Sequence, residues 1–144
     1  MSKPRSLARK RAIQALYMWE MTGVNLSDID QKFVLEHDLS KVDYKYFQEL
    51  LHKIPAHIDD VDSHIHAYLD RPFSEIDPVE RAIMRVGVYE LQQRPDIPYR
   101  VVINEAVELA KIFGAEDGYK YVNSILDNAA KKLRATEVAA KKTS

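Results

Sequence analysis

The sequence predicts an all-α fold. Glycine is scarce, four in 144 residues, while strong helix formers abound. Apolar residues recur at three- and four-residue steps through most of the chain. The string Asp77-Pro78-Val79-Glu80 writes out a helix start: an oxygen-bearing cap, proline at the first helical position and an acid at the third. The length suits one domain with a substantial core.

Taken in order, the first helix is expected to begin between Ser6 and Ala8 and to run to Met21, with Ala8, Ala12, Ala15, Leu16 and Trp19 as its core stripe. Lys10, Ile13 and Tyr17 share a lateral face beside that stripe, bordered by Arg9. A cation, an apolar side chain and an aromatic there suit a nucleic-acid strand. The alternative is that Tyr17 packs at the core rim with its hydroxyl in water. Gly23 to Ser27 reads as a turn, and Ser27 with Asp30 resembles a capping box opening a helix to about Glu36. From Phe47 to Tyr68 the apolar positions 47, 51, 54, 58, 61, 65 and 68 keep one phase across Pro55. Proline ends or kinks a helix, so residues 44–69 read as one kinked helix or two nearly collinear ones. The alternative is a full break with accidental phase.

Arg71 to Ile76 reads as a loop. The helix opened by Asp77 is expected to reach about Arg94 and is apolar on two faces, which marks it as central to the fold or as a docking element. Glu90 falls within its first apolar face, so it is expected to be buried, paired and structural. Two further amphipathic helices follow within Val101–Leu133, hinged at Gly114, where a left-handed residue is expected. Glu116 and Asp117 precede the second of these, where the helix dipole favours negative charge. Residues 136–144 have little to bury and read as a disordered basic tail beyond a domain spanning 1–135.

The net charge of −1 hides a segregation. Residues 1–11 carry +5 from Lys3, Arg5, Arg9, Lys10 and Arg11. Residues 131–144 carry +4, and residues 12–130 carry −10. A polyanion is drawn to the ends and repelled by much of the body, although terminal cations also serve solubility alone. The chain has no cysteine, which excludes disulfides, thiolate catalysis and cysteine-based zinc sites. No apolar run has the length of a membrane span, and the basic N-terminus lacks a signal peptide's apolar core, so a cytoplasmic location is expected.

Enzyme motifs are absent: the glycines are isolated at 23, 87, 114 and 118, and neither a nucleophile elbow nor a paired-histidine zinc string occurs. His57, Asp60 and His64 share a helical face, with His66 nearby. They fit no firm metal motif and read as a solvated polar face, so neither metal nor cofactor is expected. Binding features are better represented. The basic arm offers phosphate contacts, and Tyr17 and Tyr121 offer faces for stacking unpaired bases. Asn123 and Asn128 have groups for base edges, or simply face water.

Three strings go beyond what packing demands: Ala12–Glu20 (AIQALYMWE), Tyr89–Tyr99 (YELQQRPDIPY) and INEAVELAKIFGAEDGYKYVNSILD from Ile103. Together they resemble the NusB family of transcription antitermination factors, with Tyr121 in place of a phenylalanine. The resemblance implies about seven helices in two packed helical subdomains. It also implies a non-catalytic role: binding boxA-type single-stranded RNA together with the small-subunit ribosomal protein NusE, within the RNA polymerase antitermination complex. Lys3, Arg5, Arg9 and Lys10 match the family's RNA-binding arm in character. Tyr17 and Tyr121 fall near the implied RNA surface, Glu80 and Asp117 near the implied partner surface. The acidic body suits a basic partner. Two other readings are an accessory module like the N-terminal domain of ribosomal-RNA cytosine methyltransferases and a structural helical dimer.

Overall fold

A computed structural model describes the backbone of residues 2–143 and the side chains of residues 2–140. Among them are eight α-helices, one 3-10 turn and no strand. The helices are α1 (Lys3–Thr22), α2 (Leu26–Glu36), α3 (Tyr44–Ala56), α4 (Ile58–His66), α5 (Pro78–Gln93), α6 (Tyr99–Phe113), α7 (Gly118–Leu133) and α8 (Ala135–Thr143), with the 3-10 turn at Phe73–Glu75. None is long and apolar enough to cross a membrane among the described residues. The chain divides into two compact units, Met1–Ile58 and Asp59–Ser144.

In the first unit α1 packs on α3, and α2 packs on both. Of the predicted core stripe of α1, Ala8, Ala12, Ala15 and Leu16 are buried, in a core that includes Phe33, Phe47, Leu50, Leu51 and Ile54, while Trp19 is only half-buried. The start of α1 differs from the sequence reading. Ser2 caps it, its Oγ accepting from the Arg5 amide, and Pro4 sits in the first turn, so helix begins at Lys3. The basic residues therefore ride on a helix from their first member. The cap of α2 is Asn25 and not Ser27: Asn25 Oδ1 accepts from the Ser27 amide at 2.8 Å. Asp30 serves no capping box, because its carboxylate is bonded to α3.

Pro55 lies inside α3, and helix stops two residues later. His57 has φ −119° and ψ 28°, and α4 begins at Ile58. Of the seven apolar positions, Phe47, Leu51, Ile54, Val61 and Ile65 are buried, while Ile58 and Tyr68 are half-buried. Of the two forms the sequence allowed, one kinked helix or two helices, the chain takes the second, with the interruption at His57 rather than at the proline itself.

In the second unit α5 packs on α6 and α7, α6 packs on α7, and α7 on α8. Asp77 caps α5 as predicted, its Oδ1 accepting from the amides of Val79 (2.9 Å) and Glu80 (3.3 Å). Asp77→Ala is expected to cost about 1 kcal/mol, the usual worth of such a cap, measurable by urea unfolding. Every residue from Ala82 to Leu91 is buried, which explains a helix apolar on two faces. The charged members of that run are Arg85, which makes a two-pronged pair with Asp62 at 2.8 and 2.9 Å, and Glu90 at 1% exposure. No buried side-chain nitrogen or oxygen among the described residues lacks a hydrogen-bond partner.

Two expectations for this unit need correction. Gly114 is not left-handed; it is extended, with φ −82° and ψ 176°. The left-handed residue is Asp117, at φ 63°. Gly114 is needed for closeness instead: a Cβ there would stand 2.7 Å from the Ala110 carbonyl oxygen and 2.9 Å from Glu80 Oε2. Residues 136–140, expected to lack order, belong to α8. Val138 is buried and Glu137 is bonded twice, contacts that composition does not reveal. The side chains of 141–144 and all of Ser144, the rest of that expected tail, lie outside the described residues.

Candidate nucleic-acid interface

Because α1 begins at Lys3, the residues Lys3, Lys10 and Tyr17 stand at successive seven-residue steps of one continuous helix. Seven residues are nearly two whole turns, so the three side chains share one stripe about 21 Å long. Lys3 and Tyr17 are exposed and Lys10 is half-buried. Tyr17 is one of the large apolar side chains left on the surface, at 39% exposure. Ile13, placed on the same face by the sequence, is turned into the core.

Two arginines of the arm lie near Tyr46 of α3. Arg5 stacks its guanidinium 4.7 Å from the centre of the Tyr46 ring, and Arg9 lies 5.6 Å from the same ring. Arg5 is half-buried, but Arg9 is only 2% exposed. Burial withdraws Arg9 from the surface a phosphate can reach and makes it part of the packing between α1 and α3.

In the second unit, Tyr121 on α7 is half-buried. Its hydroxyl donates to Asp70 Oδ1 at 3.0 Å, and the Arg71 guanidinium covers one face of its ring at 4.5 Å. Burial, reinforced by the Asp70 carboxylate, raises its phenol above the ordinary value. The ring borders an open cavity of about 490 Å³, walled also by Arg71, Glu75, Asp77, Glu80, Asp117 and Gly118.

The two acids assigned to a partner surface have different fates. Asp117 is exposed, makes no cap to α7 and stands 3.6 Å from Lys120 Nζ. Glu80 is 5% exposed and turned inward; its Oε2 accepts from the Ala115 amide at 2.8 Å. Burial pushes the Glu80 carboxyl above its ordinary range, and the Ala115 hydrogen bond offsets that only in part. Glu80 therefore pins the α6–α7 turn, with a single edge on the cavity.

Sequence reasoning missed two polar clusters. Arg134, just past α7, donates to the carbonyls of Leu91 (2.7 Å), Glu90 (3.2 Å) and Arg94 (2.8 Å) at the end of α5. It also pairs with Glu137 at 2.6 Å, and Glu137 in turn accepts from the Tyr99 amide at the start of α6. In the first unit, Asp30 accepts from the Tyr44 hydroxyl and, at 3.1 Å, from Gln48 Nε2; His52 Nε2 also lies 3.1 Å away. Burial raises the Asp30 carboxyl, but the bonds from Tyr44, His52 and Gln48 outweigh it, and the net shift is downward. Burial, with the Asp30 bond, pushes the Tyr44 phenol up to about 12. The four-residue spacing of Tyr44, Gln48 and His52 was the available signal.

The histidine-rich face of α4 is tied to α5, Asp60 accepting from Gln92 Nε2 at 2.7 Å. No group of three or more acids and histidines is placed to hold a metal ion among the described residues.

Residues 6–131 match the sequence profile of the NusB family. The transcription antitermination protein NusB of Nitrosococcus oceani is 53% identical over 137 residues, spanning 95% of this chain and 92% of that protein. The protein of the same name from Alcanivorax borkumensis is 48% identical, over 94% and 90% of the two chains. Among solved structures, NusB of T. maritima superimposes with a TM-score of 0.76 at 32% identity, covering 91% of this chain and 93% of that one. Neither name describes an enzymatic activity. Helix order, the strings on α1, α5, α6 and α7, and these likenesses converge: the chain belongs to the NusB family, a family of transcription antitermination proteins.

Proposed function

We propose that the chain is a non-catalytic factor that binds boxA-type single-stranded RNA together with NusE and so supports ribosomal-RNA transcription. The observation that carries the reading is the stripe of Lys3, Lys10 and Tyr17 on α1, two cations and an exposed aromatic on one rigid helix. Phosphates meet the lysines, with Arg5 beside them, and an unpaired base stacks on Tyr17. The start of α1 carries no acid in its first turn, so nothing there opposes a phosphate, and the helix dipole adds to the attraction. Tyr121 offers a second ring, already backed by a guanidinium, and Asp117 remains an exposed acid for a basic partner. Arg9 and Glu80 serve this function indirectly, by holding α1 and the α6–α7 turn in place.

Three reachable cations set the salt dependence. Log affinity for single-stranded RNA is expected to fall with log salt at a slope of about −2, since each single-strand contact contributes roughly −0.7. Lys3→Ala or Lys10→Ala is expected to weaken all RNAs alike and to flatten the slope. Tyr17→Ala is expected to weaken binding about tenfold or more with the slope unchanged, because stacking releases no counterions. Fluorescence anisotropy across a salt series measures both. Binding that ignores salt, or a Lys3/Lys10 double variant with full affinity, refutes the reading.

A further inference from the structure

We propose that the groove between α2 and α3 docks a basic amphipathic helix of a partner protein, its apolar row on Val34 and Leu35 and a lysine or arginine reaching Asp30.

The groove is a cavity of about 500 Å³ walled by Ser27, Asp30, Gln31, Val34 and Leu35 of α2 and by Tyr44 and His52 of α3. Helix α2 is apolar on both sides. Ile29 and Phe33 face the core, as an amphipathic helix requires. Val34 and Leu35 lie away from it, at 49% and 85% exposure. Single exposed apolar residues are ordinary, but an adjacent pair lining a groove is the pattern of a docking surface. Ser27, Gln31, Val34 and Leu35 follow the helical rhythm that a second helix laid alongside would read.

Charge decides the occupant. Residues 26–43 carry Asp28, Asp30, Glu36, Asp38 and Asp43 against Lys32 and Lys41, a net −3. One of those cations, Lys32, is taken by Glu36 at 3.2 Å. Asp30 sits in the groove wall with its orientation fixed by Tyr44, Gln48 and His52. A carboxylate has about four acceptor positions, and these donors use three. The remaining one can take a donor from a cationic side chain. An RNA strand meets repulsion and an apolar lip here, so this surface is distinct from the lysine stripe of α1. An acidic helix meets the same repulsion. A helix carrying Leu-type residues on one face and Lys or Arg beside them satisfies both the lip and the carboxylate.

The test uses the full chain and a fluorescein-labelled 18-residue helical peptide of leucine and lysine, leucines at i, i+3, i+4 and i+7. Two controls are the same peptide with glutamate for lysine and the same composition with leucines dispersed. Binding is read by anisotropy and mapped by backbone amide NMR shifts. The proposal expects shifts centred on Ser27, Gln31, Val34 and Leu35, and at least tenfold weaker binding by each control. Leu35→Lys is expected to weaken the peptide at least tenfold and Gln31→Lys several-fold. Both positions are exposed, so circular dichroism should show an unchanged fold, and RNA affinity should not fall. Shifts mapping elsewhere, equal binding of the glutamate peptide, or a Leu35→Lys protein with parental affinity overturns it. Self-association of the chain that Leu35→Lys abolishes also overturns it, in favour of a second copy as the occupant.

Discussion

Replacing Arg134 by alanine is expected to destabilise the protein by about 3–5 kcal/mol, the range for breaking a buried charge network by removing one partner. The side chain is 7% exposed and reaches three carbonyls at the end of α5. Those of Glu90 and Arg94 also accept from the amides of Arg94 and Ile97, whereas Leu91 lies in the last turn, where a helix runs out of following amides. Those carbonyls belong to Glu90, Leu91 and Arg94, where α5 ends against Pro95. The same guanidinium holds Glu137, which caps the otherwise uncapped start of α6 at Tyr99. One side chain therefore closes two helix ends. Arg134→Lys is expected to recover only a minor part, since an ammonium lacks the planar fork that spans several acceptors. Urea unfolding of both variants measures this. An alanine variant within about 1 kcal/mol of the parent would show that water replaces the network, and the assignment would fail.

Gly118→Ala is expected to cost about 2–3 kcal/mol, as overpacking of a filled site does. Its Cβ would fall 2.2 Å from Glu80 Oε2, so the carboxylate must leave the Ala115 amide. Glu80→Ala frees that space but leaves the amide unpaired, at about 1–3 kcal/mol. The double variant is therefore expected to cost clearly less than the two singles added, the mark of a shared contact. Additive losses would contradict it. Glu80 also has a pH signature. Its folded-state pKa is raised, so its contribution is fully present below the ordinary glutamate value and is lost as pH rises through the raised one. Glu80→Gln keeps an acceptor for Ala115 and removes the titration, so its stability curve should lack that fall.

The helices α1 to α7 were legible in the sequence because burial imposes its period on them, and α8 was not. The start of α5 was legible from four residues, and the buried Glu90 from its angular position alone. Apart from the start of α1, which a local cap sets, most of what escaped was set by contacts between segments distant in the chain. The period shows that α1 is amphipathic, but only the Ser2 cap and Pro4 bring its start forward to Lys3. The arm's charge is visible in the sequence, whereas its division is not: Arg9 is buried near Tyr46 of another helix, while Lys3, Lys10 and the half-buried Arg5 stay within reach of solvent. Glu80 fits the profile of a surface acid at a helix start until the α6–α7 turn, 35 residues away, delivers an amide to it. Composition reads the C-terminal segment as tail, and a single arginine with its i+3 glutamate makes it a clasp.

The central claim is that α1 carries an RNA surface whose sequence preference requires the partner. Lysines on phosphates and a tyrosine on a base face, the contacts proposed for α1, encode no sequence. The direct measurement is a titration of a boxA-type RNA and a scrambled RNA of equal length, each with and without NusE, at one fixed salt concentration. Weak and nearly equal binding of the two RNAs by the chain alone is expected. With NusE, tighter binding and a preference for boxA of about tenfold or more are expected, all reduced by the Lys3/Lys10 double alanine variant. Strong boxA preference without the partner, or a partnered complex indifferent to loss of both lysines, would contradict the claim.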